Sequence, residues 1–145
     1  MLKNFYADAY FNRITDVTAE FLNENKIKGI ILDIDNTLIG HDVPIPDETI
    51  LLHLRYLESA GFKLCVVSNN RYERVKSFCN KIDVKYFVYD ALKPRKMGYD
   101  FAAKEMQLQK NEIAAIGDQV FTDVWGAKRA GCLAILTKPL HKGGE

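Results

Sequence analysis

Gly29-Ile30-Ile31-Leu32-Asp33-Ile34-Asp35-Asn36-Thr37 decides the fold: an apolar run of strand length passes directly into Asp-x-Asp-x-Thr. The same kind of junction recurs three times. Leu64-Cys65-Val66-Val67 runs into Ser68-Asn69-Asn70. Tyr86-Phe87-Val88-Tyr89 precedes Lys93-Pro94. Ile113-Ala114-Ala115-Ile116 runs into Gly117-Asp118-Gln119, with Asp123 five residues past Asp118. Asp33 to Ser68 is 35 residues, Ser68 to Lys93 is 25 and Lys93 to Asp118 is 25. Each step is close to one βα unit of about 30 residues. The polar groups therefore fall at equivalent ends of successive units, on the rim of a parallel sheet where ligands bind.

Between these strands the apolar positions take helical period. The first helix is expected from near Asp16, with Val17, Phe21 and Leu22 facing inward. The next starts after Pro46, with Asp47 and Glu48 in its first turn and Ile50, Leu51, Leu54 and Leu57 inward, and stops at Gly61. Further helices are expected over 71–80, 98–106 and 120–129, the last ended by Gly131. Strands are expected over 29–34, 62–67, 85–89, 113–116 and 133–136. Pro139 and Gly143-Gly144 close the chain. This alternation predicts an α/β protein with a doubly wound, Rossmann-like parallel sheet of about five strands. One domain spans 1–145, with a core over about 29–137 and an amino-terminal helical extension over 1–28.

Composition narrows the function classes. The 145 residues suit one domain. Twenty basic and 19 acidic residues leave a net charge of +1, without the basic excess of a nucleic-acid binder. No apolar run approaches the roughly 20 residues of a membrane span, and the first residues have no signal-peptide core. Cys65, Cys79 and Cys132 are expected as reduced, mostly buried thiols of a cytoplasmic protein. Without Cys-x-x-Cys or paired histidines, zinc is disfavoured. His41 and His53 carry no partner pattern.

Asp33 and Asp35, two apart at a strand end, can face the same crevice. One carboxylate can attack phosphorus, while the other protonates the leaving oxygen and then activates water. An Asx turn accounts for the same residues structurally. Ser68 and Asn69 offer a hydroxyl and an amide to phosphate oxygens, or cap the helix that follows. Lys93 can neutralise phosphoryl charge and hold Asp33 ionised, or be a solvated surface lysine, the better reading for Arg95 and Lys96. Asp118 and Asp33, with the main-chain carbonyl of Asp35, form a plausible Mg²⁺ shell, and Asp123 is a ligand or a neighbouring acceptor. The alternative for Asp123 is an acid favoured by a helix dipole.

Taken together, the order, spacing and position of these groups resemble the haloacid dehalogenase (HAD) superfamily over about residues 29–137. Asp33, Asp35 and Thr37 match its first motif, Ser68 its second, Lys93 its third, and Gly117, Asp118 and Asp123 its fourth. The resemblance implies Asp33 as nucleophile and Asp35 as acid/base. It implies Thr37, Ser68, Asn69 and Lys93 at the phosphate, and Mg²⁺ held by Asp33, Asp35, Asp118 and Asp123. Asp35, able to shuttle protons, points to a phosphatase. The ten residues between Asp35 and the helix after Pro46 suit a short hairpin flap, and three separate Tyr89 from Lys93. Neither gap holds a cap domain, so a capless enzyme is expected, with an open site closed by a large substrate, a partner or a second subunit.

More closely, Asp33 to Leu38, Lys93-Pro94 and Gly117 to Val124 look like subclass IIIA. They resemble its branch of small bacterial proteins related to mitochondrial phosphatidylglycerophosphate phosphatase, which more often has Gly-Asn where this chain has Ala127-Lys128. The implied substrate is a lipid headgroup phosphate, with soluble nucleotides or phosphosugars as the alternative. Phe5, Tyr6, Tyr10 and Phe11, with Lys3 and Arg13, could rest on a membrane surface. Without a periodic apolar face, packing against the sheet or a partner is the expectation. A receiver module is disfavoured because its phosphoacceptor follows the third strand. A binding protein on an inactive phosphatase fold is disfavoured because every catalytic position is filled.

Overall fold

The structure is a computed structural model and describes residues 2–40 and 45–140. Among the described residues, six strands form one wholly parallel sheet. In chain order they are β1 (Ala9–Phe11), β2 (Gly29–Leu32), β3 (Lys63–Val67), β4 (Tyr86–Val88), β5 (Ile113–Gly117) and β6 (Leu133–Thr137). The spatial order is β1-β6-β5-β2-β3-β4. The helices are α1 (Ala19–Glu24), α2 (Glu48–Ser59), α3 (Tyr72–Ile82), α4 (Met97–Met106) and α5 (Trp125–Ala130).

Alternation along each strand builds two cores. Ile30 and Leu32 join Leu54, Leu57, Val75 and Phe78 beneath α1 to α3. Ile31 points the other way and joins Tyr99, Ala102, Met106 and Ala127 beneath α4 and α5. A parallel sheet needs both faces covered, and these helices supply the cover. From β2 the chain winds one way to β3 and β4. β5 then returns to the other side of β2. The winding therefore reverses between β2 and β5, which opens a crevice at their carboxyl ends.

The sheet has six strands, not about five. The unforeseen strand is β1, in the segment expected to be a helical extension. Three residues are too few to show a period, and long-range bonding defines this strand instead. Its register runs from Ala9↔Ile135 to Phe11↔Thr137. The main-chain N–H of Asp8 donates to Ala134 O at 2.8 Å, and the Asp8 carboxylate accepts the Ala134 N–H, also at 2.8 Å.

Two helix starts also differ from expectation. Residues Ile14–Asp16 form a 3₁₀ turn. α1 begins only after Thr18, whose hydroxyl accepts the Phe21 N–H at 3.1 Å and so caps the helix. The segment expected as one helix over 120–129 opens with a π turn over Val120–Val124 before α5. α2 starts as expected, with the Asp47 carboxylate accepting the Ile50 N–H at 3.1 Å, and Gly61 follows its end at φ 99°. All three cysteines are free and buried.

The amino-terminal aromatics divide. Phe5 packs on Phe121 and Trp125, and Phe11 packs edge-on against Phe21 at 5.1 Å. Tyr6 and Tyr10 stay exposed. The side chain of Lys3, His41, residues 41–44 of the expected flap, and Gly143-Gly144 lie outside the described residues. No helix among the described residues is long and apolar enough to cross a membrane.

Candidate active site

The crevice between β2 and β5 collects the charged groups. Asp33 follows β2, and its N–H donates to Ile116 O at 3.1 Å, which keeps it bonded to β5 one residue beyond the strand. Behind it a tight turn reverses the chain: Leu38 N–H donates to Ile34 O at 2.9 Å, and Asn36 takes φ 62°. That turn buries Thr37, whose hydroxyl donates to Asp33 Oδ2 at 3.3 Å.

Lys93 arrives from the loop between β4 and α4. Asn69, after β3, grips its main chain: Lys93 N–H donates to Asn69 Oδ1 at 2.7 Å, and Asn69 Nδ2 donates to Lys93 O at 3.4 Å. Lys93 is only 8% exposed. Its Nζ lies 3.0 Å from Asp33 Oδ1 and 2.8 Å from Asp123 Oδ1.

Asp123 reaches inward because of the π turn. Both its own N–H and that of Val124 donate to Gln119 O, at 2.9 and 3.1 Å. The extra residue in this turn keeps Asp123 over the end of β5, where Oδ2 accepts the Gln119 N–H at 3.1 Å. π turns are frequent at functional sites for such reasons. Beneath it Tyr99 donates to Asp123 O at 3.4 Å, and the ring fits because residue 126 is glycine: a Cβ there would meet the Tyr99 hydroxyl at 2.6 Å.

Asp33, Asp118 and Asp123 each offer a carboxylate oxygen, all within 4.8 Å of one another. Burial, ahead of the opposing pull of Lys93, pushes the Asp33 carboxyl up. Burial and then the charges of Asp33 and Asp123 push Asp118 up to about 7. Burial alone would lower Lys93, but Asp33 and Asp123 outweigh it and raise it, so it stays an ammonium. Three carboxylates against one ammonium leave excess negative charge on hard oxygen donors, and a divalent cation such as Mg²⁺ fits that set.

Asp35 stands apart from this group. Its carboxylate is exposed and held by Arg74 Nη2 at 2.9 Å and Asn70 Nδ2 at 3.3 Å. Ser68 is buried beside it, its hydroxyl accepting from Asn70 N and Nδ2, both at 3.0 Å. Sequence reasoning had not assigned Asn70, Arg74 or Tyr99. Asn70 lay in the quoted Ser68 motif, whereas Arg74 and Tyr99 are ordinary helix residues with no local signal. Arg95 and Lys96 are exposed, as solvated residues would be.

Known proteins share the family and the fold of this chain. A profile described as haloacid dehalogenase-like hydrolase matches residues 44–131, which contain Ser68, Lys93, Asp118 and Asp123. The chain is 38% identical to "Probable phosphatase YqeG" of Bacillus subtilis over 141 residues, 97% of this chain and 81% of that one. Among solved structures, it resembles the 3-deoxy-D-manno-octulosonate 8-phosphate phosphatase of Moraxella catarrhalis at 16% identity. That match covers 88% of this chain and 87% of that chain, with a TM-score of 0.60. A cobalt-bound octulosonate 8-phosphate phosphatase of Haemophilus influenzae matches at 18% identity over 83% of each chain, with a TM-score of 0.62.

Proposed function

The chain belongs to the haloacid dehalogenase-like hydrolases and is a phosphatase; from that premise we propose a Mg²⁺-dependent phosphomonoester hydrolase working through an aspartyl phosphate on Asp33. The observation that carries this reading is the ammonium of Lys93, buried between Asp33 and Asp123 beside Asp118 where the sheet reverses its winding.

An Asp33 oxygen attacks phosphorus and the ester P–O bond breaks. Asp35 gives its proton to the departing alkoxide. Water then attacks the phosphoryl group, Asp35 takes a proton from it, and the bond to Asp33 breaks to release phosphate. Lys93 sets its ammonium against charge developing on the phosphoryl oxygens and opposes the burial that raises the Asp33 carboxyl. Thr37 orients the Asp33 carboxylate through its hydroxyl. Ser68 flanks the phosphate, and Asn69 acts through the Lys93 main chain. Arg74 and Asn70 orient Asp35 between its two proton transfers. Asp33 and Asp118, with Asp123 beside them and the main-chain carbonyl of Asp35, would hold Mg²⁺, which when bound neutralises phosphoryl charge.

For the substrate we propose a lipid headgroup phosphate of the phosphatidylglycerophosphate type, on the resemblance of the four motifs to that branch. A phosphosugar is the second reading, favoured by the octulosonate 8-phosphate phosphatases among the structural matches. Without a cap domain, the substrate or a partner must exclude water.

The test is Mg²⁺-dependent phosphate release from an aryl phosphate, nucleotides, sugar phosphates and phosphatidylglycerophosphate in detergent, with Asp33→Asn beside the wild type. Turnover of the lipid that Asp33→Asn abolishes supports the whole reading. Turnover of soluble esters alone keeps the mechanism and discards the lipid. No turnover of any ester discards the catalytic assignment.

A further inference from the structure

A cleft of about 450 Å³ opens where β1 and β6 end, and Asp118 forms one of its walls. Tyr10, Phe11 and Leu136 supply apolar surface, and Thr137 and Lys138 supply polar groups. The volume is that of a small-molecule site, which typically pairs apolar walls with a few polar groups.

Thr137 marks the cleft as more than a surface dent. It is 3% exposed, and its hydroxyl has no hydrogen-bond partner among the described residues. Buried polar groups are nearly always bonded, so a hydroxyl left unpaired in a residue of the cleft wall leaves a hydrogen-bonding place for a ligand atom that reaches it. Tyr10, by contrast, presents an aromatic ring that is 62% exposed, directly across the strand pair from Leu136. Such an amphipathic ring covers large ligand area at low entropic cost.

We propose that this cleft binds the alcohol portion of the substrate, and that the substrate is a phosphomonoester of an amphipathic alcohol larger than glycerol. The proposal rests on the phosphatase reading, because Asp118 belongs both to the acidic cluster and to the cleft wall. With the phosphoryl group at Asp33, the leaving group extends past Asp118 onto Tyr10, Phe11 and Leu136. Thr137 then donates to, or accepts from, a polar atom of that group, and Lys138 stands at the rim for an anionic one. The strand that builds the cleft, β1, thus takes the place of a specificity domain.

The experiment compares three esters: β-glycerol phosphate as the small one, 4-methylumbelliferyl phosphate as a soluble aromatic one, and dihexanoyl phosphatidylglycerophosphate as a lipid one. Tyr10→Ala and Thr137→Val are assayed, each first shown by thermal melting to be folded. The expected result is a loss of kcat/KM at least 10-fold greater on one or both large esters than on the small one. A loss confined to the lipid or to the aryl ester identifies which alcohol the cleft takes. Equal losses, within 2-fold, on all three esters overturn the proposal and leave the phosphatase reading intact. A second arm needs no turnover: binding of 4-methylumbelliferyl phosphate to Asp33→Asn, read by its own fluorescence, is expected to weaken about 10-fold when Tyr10→Ala is added. An unchanged affinity overturns the cleft even if no ester is hydrolysed.

Discussion

Gly117 lies so close to Asp123 that a Cβ at residue 117 would sit 2.4 Å from Asp123 Cγ. The glycine is required by the approach of a carboxylate rather than by backbone angle. Gly117→Ala therefore has to push Asp123 out of its bonds to Lys93 and the Gln119 N–H. Overpacking of this kind costs about 1–3 kcal/mol, and a displacement near 1 Å costs about 100-fold in rate. Phosphate release by a folded Gly117→Ala protein is expected to fall by about that factor. Activity within 3-fold of wild type would show that Asp123 has no positional role.

Lys93→Met leaves Asp33 and Asp123 as buried carboxylates without their shared cation. Removing one partner of a buried pair costs about 3–5 kcal/mol. Urea denaturation at pH 7 without metal should show a loss of that size, shrinking at lower pH as Asp33, already raised by burial, takes up a proton. A loss below about 1 kcal/mol would mean that the ammonium contributes little to the fold.

Asp118 is pushed up to about 7 from 3.8 by burial and by Asp33 and Asp123. The folded metal-free protein thus holds a proton that the unfolded chain has released. The associated stability is full below the unfolded value and is lost as pH rises through about 7. Asp118→Asn removes that dependence. Its Tm at pH 8 without metal should exceed that of wild type by about 3–8 °C, while phosphatase activity is lost. Parallel Tm curves from pH 5 to 8 would contradict this.

His53 donates through Nε2 to Val17 O at 2.8 Å, tying α2 to the segment before α1. Partial burial, opposed by that bond, lowers its pKa from 6.5. A lowered histidine gives stability that is full above the unfolded value and declines as pH falls through the folded one. His53→Gln keeps a donor and does not titrate. The drop in urea midpoint between pH 7 and pH 5 should therefore be smaller in the variant, which paired denaturation curves will show.

Asp8 pins β1 to β6 by accepting the Ala134 N–H at 2.8 Å and the Lys128 ammonium at 2.7 Å. Here Lys128, at a position where the resembled branch more often has Asn, has a structural partner. Asp8→Ala leaves the Ala134 N–H without its acceptor, at a cost of about 1–3 kcal/mol. Faster amide exchange at Phe11 and Ile135 is expected, with a smaller effect for Lys128→Ala, since the ion pair is partly exposed. Unchanged exchange in Asp8→Ala would show that main-chain pairing alone holds the strand.

Short-range pattern was enough for much of this molecule. Five of the six strands were legible because each is an apolar run bounded by turn residues, and α2 was legible because Pro46, Asp47 and Gly61 punctuate a helical period. The positions of Asp33, Ser68, Lys93 and Asp118 at strand ends followed from the repeat of those units along the chain. β1 was not legible because three residues carry no period, and its definition comes from bonds to residues more than a hundred positions away. The π turn was hidden for a similar reason. The sequence Val120–Val124 suits an ordinary helix start, and the extra residue is set by Asp123 meeting Lys93 and Gly117.

By itself, then, the sequence determined the doubly wound α/β plan and the set of groups on its rim, because hydrophobic period and strand-end position are local properties. Tertiary structure alone decided how those groups are used. It set Lys93 between Asp33 and Asp123, turned Asp35 towards Arg74, committed Asn69 to the Lys93 main chain, and opened a cleft beside Asp118. These are distances between residues far apart in the chain, and they are settled by packing and charge balance.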